Sequence, residues 1–395
     1  MTTVRVSAAV MTHPRRARLA EGLARRTGIP CVVADPEPAG RPNALRTSAE
    51  AWSRTTDDAT HHLVVQDDIE PSAALLSTAH KAAARFPGRA IAFYTNWDCR
   101  NASAVRLAAL AGAGWVSAID GEYTPTLALL LPGRHARGFA RYARRLVPTH
   151  TDDDEVMTEY LAAREVPVLL SVPNLVDHLD VTSIAGNNPE GERRACCYAP
   201  GQVPASGVLT GFTAVPHFRA GQLRVLVRGD GRPPRWTSTP WTTAGESLGV
   251  DIVRLEDDWR AWQGRSPEAT ALADRFGTTA LRSLWAAGFL LGHAARTLGT
   301  GRDPVAGLRS EALRTLAVGG LLTLTRDTGA GETAHRLRLL ADSGARSGEK
   351  AAATRGFVPH ARATAQAPSG ETPGGEREAP AEGTPRGERD CTPSS

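Results

Sequence analysis

Three short groups of residues in the first half of the chain have the types and spacing to do chemistry. The first is Gln66-Asp67-Asp68, which follows the apolar run Leu63-Val64-Val65 and is closed by Ile69-Glu70-Pro71. Adjacent carboxylates repel each other, so a site that keeps both ionised has to supply a cation. Oxygen ligands suit Mg²⁺ or Mn²⁺, ions that are commonly shared with substrate phosphates. The plain alternative is a strand that runs out into a solvated acidic turn. The second group is Thr151-Asp152-Asp153-Asp154-Glu155, at the start of a helical pattern. Thr151 or Asp152 is a good N-cap, and acids in a first turn favour the helix dipole by roughly 0.3–1 kcal/mol each. Four consecutive acids exceed what capping requires. Their repulsion raises the pKa of at least one, which makes that one a candidate general base.

The third group is His178 in Val176-Asp177-His178, beyond a strand and a proline. An imidazole there completes a Mn²⁺ shell otherwise made of carboxylate and phosphate, although a lone histidine is more often structural. Weaker signals accompany these three. Asp35 closes the second apolar run, where an acid either meets a nucleotide or caps the loop. Arg16, in Thr12-His13-Pro14-Arg15-Arg16, stands at a helix start, where a guanidinium reaches a phosphate or is simply solvated. Gly121, in Asp120-Gly121-Glu122, lets backbone approach a ligand. Glu256-Asp257-Asp258 rivals Asp67-Asp68 by pattern. It lacks the proline break, runs into Trp259 and Trp262, and has no companion acids or histidine downstream.

Regular elements have to position these groups. Strands are expected at Val4–Val10, Ile29–Ala34, Leu63–Val65, Ala90–Phe93, Thr126–Leu131 and Val168–Val172. Helices are expected at Pro14–Thr27, Ala44–Ser53, Ser72–Phe86, Arg134–Arg145 and Asp152–Arg164. This alternation argues for an α/β fold with a mostly parallel, helix-covered, Rossmann-like sheet. Asp67 and Asp68 then lie at a strand's carboxyl end, where open α/β sheets place ligands. Beyond residue 206 the pattern becomes mixed and largely helical, with strands at Gln222–Val227 and Val250–Leu255 and helices at Leu281–Leu298 and Leu308–Leu324. From Ser343 the chain is Gly, Pro, Glu, Arg, Ser and Thr with little apolar periodicity, which reads as a disordered tail. The expected division is 1–205, 206–342 and 343–395.

Composition narrows the partners. A formal charge of +4 arises from 46 basic and 42 acidic residues, and no basic stripe interleaved with aromatics marks a nucleic-acid footprint. No apolar stretch approaches the roughly 20 residues that span a bilayer. The early Val4–Met11 run precedes its arginines, the reverse of a signal peptide. Five cysteines without a CxxC pair suit a reducing, cytoplasmic setting.

Taken in order, the first strand, Asp35 after the second, Gln66-Asp67-Asp68 after the third, a glycine-bearing loop, an acidic helix start and a late histidine resemble the GT-A glycosyltransferases. The resemblance covers roughly residues 1–200, about one α/β domain. It implies a GT-A-like domain that moves a sugar from a nucleotide-sugar donor to an acceptor hydroxyl, with a Mn²⁺ or Mg²⁺ ion on the diphosphate. Carried over by position, Asp68 would bind the metal directly with His178 as a late ligand. Asp154, or Asp153 as second choice, would be the base of an inverting reaction. Asp35, Arg16, Gln66, Asp67 and Gly121 would line the nucleotide-sugar site. Gln66 stands where many members carry an acid. A metal-dependent nucleotidyl or phosphoryl transferase, or a non-catalytic binding module, remains an alternative.

Overall fold

The computed structural model describes residues 3–179, 181, 184, 192–231, 234–299, 305–321 and 331–354. The chain opens with β1 (Val6–Thr12), a 3-10 turn at Pro14–Arg16, α1 (Ala17–Thr27), β2 (Cys31–Ala34), α2 (Ala44–Ser53) and β3 (His61–Gln66). There follow β4 (Ile69–Pro71), α3 (Leu75–Arg85), β5 (Ala90–Ala92), α4 (Arg100–Leu110), β6 (Trp115–Ser117), β7 (Ala128–Pro132) and α5 (Gly133–Leu146). Then come α6 (Asp153–Ala162), β8 (Val168–Ser171), β9 (Val176–His178) and β10 (Val208–Leu209).

Eight strands form one sheet in the order β10-β6-β8-β5-β7-β3-β1-β2. Pairing is parallel at β1/β2, β1/β3, β5/β8 and β6/β10, and antiparallel at β3/β7, β5/β7 and β6/β8. The fold is therefore α/β, with a mixed sheet in which parallel pairs predominate. Both faces are covered, which explains why β3 reads as continuous apolar sequence. Leu63 and Val65 pack with Val10 and with Ala20 and Leu23 of α1, whereas Val64 packs with Ala9, Met11, Trp52 of α2 and Phe139 of α5. Each such buried aliphatic side chain contributes about 1.5–3 kcal/mol relative to exposure. A two-stranded ribbon, β4 with β9, sets Ile69 opposite His178.

The later chain adds a three-stranded antiparallel sheet of β11 (Ala214–Arg219), β12 (Gln222–Arg228) and β13 (Trp236–Pro240). The described residues there also form five α-helices: α7 (Ile252–Gln263), α8 (Pro267–Phe276), α9 (Thr278–Leu298), α10 (Ala306–Leu321) and α11 (Gly331–Thr354). No helix among the described residues is long and apolar enough to cross a membrane.

Three expectations are corrected here. Val250–Leu255 is not a strand. Asp251 caps α7 by accepting from Val253 N at 3.0 Å and Arg254 N at 3.3 Å, and Leu255 and Trp259 then recur four residues apart on its buried side. The expected boundary at residue 205 meets no gap in packing, because β10 joins the main sheet beside β6 and the described residues belong to one compact unit. The expected tail from Ser343 begins as helix: α11 continues to Thr354, while residues 355–395 lie outside the described residues. Its small residues are a packing surface rather than low complexity. A Cβ on Gly344 would stand 2.1 Å from Trp285 O, and one on Gly348 2.0 Å from Phe289 O, so these glycines let α11 lie directly against α9.

That close approach predicts opposite signs for two chemically identical changes. Gly348→Ala should destabilise by about 1–3 kcal/mol through overpacking. Gly22→Ala in α1, where nothing lies within 4 Å of the added carbon, should stabilise by up to about 1 kcal/mol. Urea denaturation of both variants checks this, and equal shifts would refute the packing account.

Candidate functional site

The chain leaves β1 for β2 on one side and returns to β3 on the other, so the carboxyl ends of β1 and β3 form a topological switch point. A cleft of ≈ 480 Å³ opens there. Thr12 ends β1, Arg16 ends the 3-10 turn, Gln66 ends β3 and Asp67 and Asp68 follow it; all line the cleft. So do Asp153 and Asp154 at the start of α6 and His178 at the end of β9.

One guanidinium nitrogen of Arg16, Nη1, lies 2.7 Å from Asp68 Oδ2 and 3.2 Å from Asp67 Oδ1. Thr12 donates a short hydrogen bond to Asp67 Oδ2. The Asp67 carboxyl is raised above its ordinary range, chiefly by burial, against the lowering effects of Thr12 and Arg16. Asp68 Oδ1 is buried with no hydrogen-bond partner. His178 Nε2 lies 3.7 Å from Asp68 Oδ2. Burial lowers the imidazole's pKa despite Asp68, which favours the neutral, ligating form. The β4–β9 ribbon fixes this pair, with Leu179 N donating to Asp68 O at 2.9 Å.

At the other wall, Asp153 is 5% exposed and its Oδ2 has no hydrogen-bond partner. Burial, reinforced by Asp154, pushes its carboxyl up to about 7. Asp154 is also raised, mainly by burial, and its Oδ1 accepts from Glu155 N at 2.8 Å. Thr126 joins the two walls: Gln66 Nε2 donates to Thr126 Oγ1 at 3.3 Å, and Thr126 Oγ1 donates to Asp153 Oδ1 at 3.3 Å.

Eight of the nine sequence-derived residues thus share one cleft: Arg16, Asp35, Gln66, Asp67, Asp68, Asp153, Asp154 and His178. Asp35 arrives with both oxygens engaged, since Arg46 donates Nε to Oδ1 at 2.7 Å and Nη2 to Oδ2 at 2.8 Å. Its pKa falls because that pairing outweighs burial. Gly121 is the exception and does not line the cleft. Its φ of +78° serves a turn, after which Tyr123 reaches the cleft instead. Asp120 is held by Arg228 at 3.2 Å. The rival Glu256-Asp257-Asp258 lies within α7, engaged with Arg282, Arg260 and Ser347 respectively.

Thr12, Thr126, Tyr94 and Arg193 also line the cleft and were not picked out in the sequence. Thr12 stands one residue before His13-Pro14, a visible strand stop. Nothing in the sequence marks the other three, because their meaning depends on pairings across the sheet. Among the described residues no group of three or more His, Cys, Asp or Glu side chains is arranged to hold a metal ion. Asp68 and His178 supply two ligands, which suits an ion whose remaining positions go to water and substrate phosphate. No protein-family model and no curated protein matches the chain.

Asp153 makes stability depend on pH. A carboxyl whose folded pKa is about 7 against an ordinary 3.8 contributes stability that is complete below about pH 4 and lost as pH rises through 7. Asp153→Asn removes that loss. Its stability relative to the native chain should therefore rise between pH 4 and 7, by up to roughly 4 kcal/mol, and level off above. Urea titrations across this range test it, and a pH-independent difference would refute a buried carboxyl with a raised pKa.

Proposed function

We propose that the chain is a cytoplasmic glycosyltransferase with a GT-A-like domain, moving a sugar from a nucleoside-diphosphate donor to an acceptor hydroxyl in this cleft. The observation that carries the reading is a convergence. An aspartate pair with its arginine and histidine shares the switch-point cleft with a second carboxyl tuned to about 7. Thiol nucleophile chemistry has no support from the described cysteines. The four described cysteines are free, and Cys99, Cys196 and Cys197 are buried thiols whose pKa burial pushes well up, hence inert.

In this reading Arg16 and Arg193 bind the diphosphate by charge-assisted hydrogen bonds. Asp35, braced by Arg46, walls the nucleoside end of the cleft, and its Oδ2 keeps a lone pair for a ribose hydroxyl, Oδ1 being taken by Arg46 Nε and Glu37 N. A divalent ion, Mn²⁺ or Mg²⁺, held by Asp68 and His178, would neutralise charge developing on the departing diphosphate. We assign the base to Asp153 rather than to Asp154. Asp153 has the bare oxygen and a pKa matched to neutral pH, and Asp154 raises it. Asp153 takes the acceptor's hydroxyl proton as the new bond forms at the anomeric carbon. The bond from that carbon to the phosphate oxygen breaks, and its electron pair leaves with the diphosphate. Attack opposite the leaving group gives inversion.

Calorimetry with UDP and GDP in the presence of Mn²⁺ tests the donor side. One nucleotide should bind, at least tenfold more weakly in Asp68→Ala, and turnover should release nucleoside diphosphate rather than pyrophosphate. Absence of nucleotide binding, or binding indifferent to Asp68→Ala, would overturn the reading. The base assignment has its own test. Asp154→Asn should keep activity and move the acidic limb of the pH–rate profile to lower pH, whereas Asp153→Asn should lose at least a hundredfold in kcat. The reverse pattern would return the role to Asp154.

A further inference from the structure

Arg16 already stands on the oxygen that a metal ion would use. Its Nη1 lies 2.7 Å from Asp68 Oδ2, the same oxygen that lies 3.7 Å from His178 Nε2. A guanidinium cannot be deprotonated in a protein, so it cannot yield this place by losing its charge. A second cation brought to Asp68 Oδ2 meets a like charge unless the arginine moves. Moving it to solvent would leave Asp67 and Asp68 without that compensation in a largely buried setting, a costly arrangement. A diphosphate offers the guanidinium a new anionic partner with fork-matching oxygens.

We infer that Arg16 is a latch that couples the two ligands: the divalent ion and the diphosphate each bind tightly only when the other is present. The inference rests on the donor-and-metal reading and adds to it an order of events within the site. Without ligand, Arg16 holds the carboxylate pair together. On loading, its side chain swings from the carboxylates to phosphate oxygens, and Asp68 Oδ2 is released beside His178. The backbone need not move. Arg16 N donates to His13 O at 2.7 Å, which pins the 3-10 turn, and Thr12 continues to hold Asp67 Oδ2 after the guanidinium has left. Because linkage is reciprocal, the factor by which nucleotide tightens the ion equals the factor by which the ion tightens nucleotide.

The test is Mn²⁺ binding, followed by the paramagnetic resonance of free Mn²⁺, alone and with saturating UDP or GDP, after allowing for ion–nucleotide complexes in solution. The native chain should bind Mn²⁺ weakly alone and at least tenfold more tightly with the nucleotide. Arg16→Gln should bind Mn²⁺ alone at least tenfold more tightly than the native chain, and its gain from nucleotide should shrink below threefold. Arg16→Lys, which keeps the charge, should keep most of the coupling. Unchanged Mn²⁺ affinity in a folded Arg16→Gln would overturn the latch while leaving the donor reading intact. So would the lack of a nucleotide effect in the native chain, a measurement that does not depend on how the variant folds. If neither Mn²⁺ nor nucleotide binds the native chain, the donor reading itself fails, and the latch with it.

Discussion

Two neighbouring carboxylates just beyond a buried strand need a cation, and much of the site is arranged around that need. Asp67 and Asp68 follow β3 where the sheet's connectivity reverses, so the charges fall at the mouth of the crevice rather than inside the core. Arg16 answers them from the turn after β1, Thr12 answers from the end of β1, and Leu179 N binds Asp68's own carbonyl from beyond β9. Three separate segments are thereby tied to two residues. Leaving one of these charges uncompensated while removing the others is strongly unfavourable in a buried place, so the ties hold as a set. The position of His178 is one consequence, since the register that sets Ile69 opposite His178 begins at the residue after Asp68.

The later half of the chain supports this set from behind. Asp177, beside His178, accepts from Ala195 N at 2.7 Å, and the segment around residues 195–197 is itself held by α10. Thr315 donates a short hydrogen bond to Cys196 O, and Arg106, 1% exposed in α4, donates to Trp97 O at 2.6 Å and to Thr315 Oγ1 at 3.5 Å. Gly319 of α10 allows Trp97 to lie within 3.0 Å of where a Cβ would be. A buried guanidinium that bonds a carbonyl and a hydroxyl through Nη2 while its Nε has no partner is an expensive way to join elements. Its place between α4, the Trp97 loop and α10 makes α10 part of what positions the cleft, not an appendage to it.

Much of this was legible in the sequence because strand and helix periods are strong signals. Ala44–Ser53 is a helix with the expected bounds, and the apolar run before Asp67 is the expected strand. The acids and His178 were legible because charge at a strand end or helix start has few reasons to be there. What escaped was decided by pairing. β4 and β9 have three residues each and exist through each other, so neither carries a period. Thr126 looks like the first residue of an apolar run until β7 sets it between Gln66 and Asp153. α11 was misread for a related reason: Gly344, Ala345 and Gly348 suggest an unstructured composition, yet smallness is what close contact with α9 requires.

The cleft's formal charge sits awkwardly with an anionic ligand. Seven carboxylates line it, from Asp35, Asp67, Asp68, Asp152, Asp153, Asp154 and Glu155, against the guanidinia of Arg16 and Arg193. Burial changes that balance. Asp35 is offset by Arg46 and stays ionised as half of a pair. Asp67, Asp153 and Asp154 are all raised by desolvation, Asp153 to about 7, so the α6 start carries less charge at neutral pH than four acids suggest. His178 is shifted the other way by the same cause and gives up its positive charge. Desolvation thus works against charge on acids and imidazole alike, while Arg16 stays paired with Asp68 and Asp67 at the strand ends. A diphosphate entering with a divalent ion would replace that pair by two others, phosphate with arginine and aspartate with metal. In the proposed exchange Arg16 and Asp68 each gain a new charged partner and Thr12 still holds Asp67, which is how an acid-rich cleft would accept an anion.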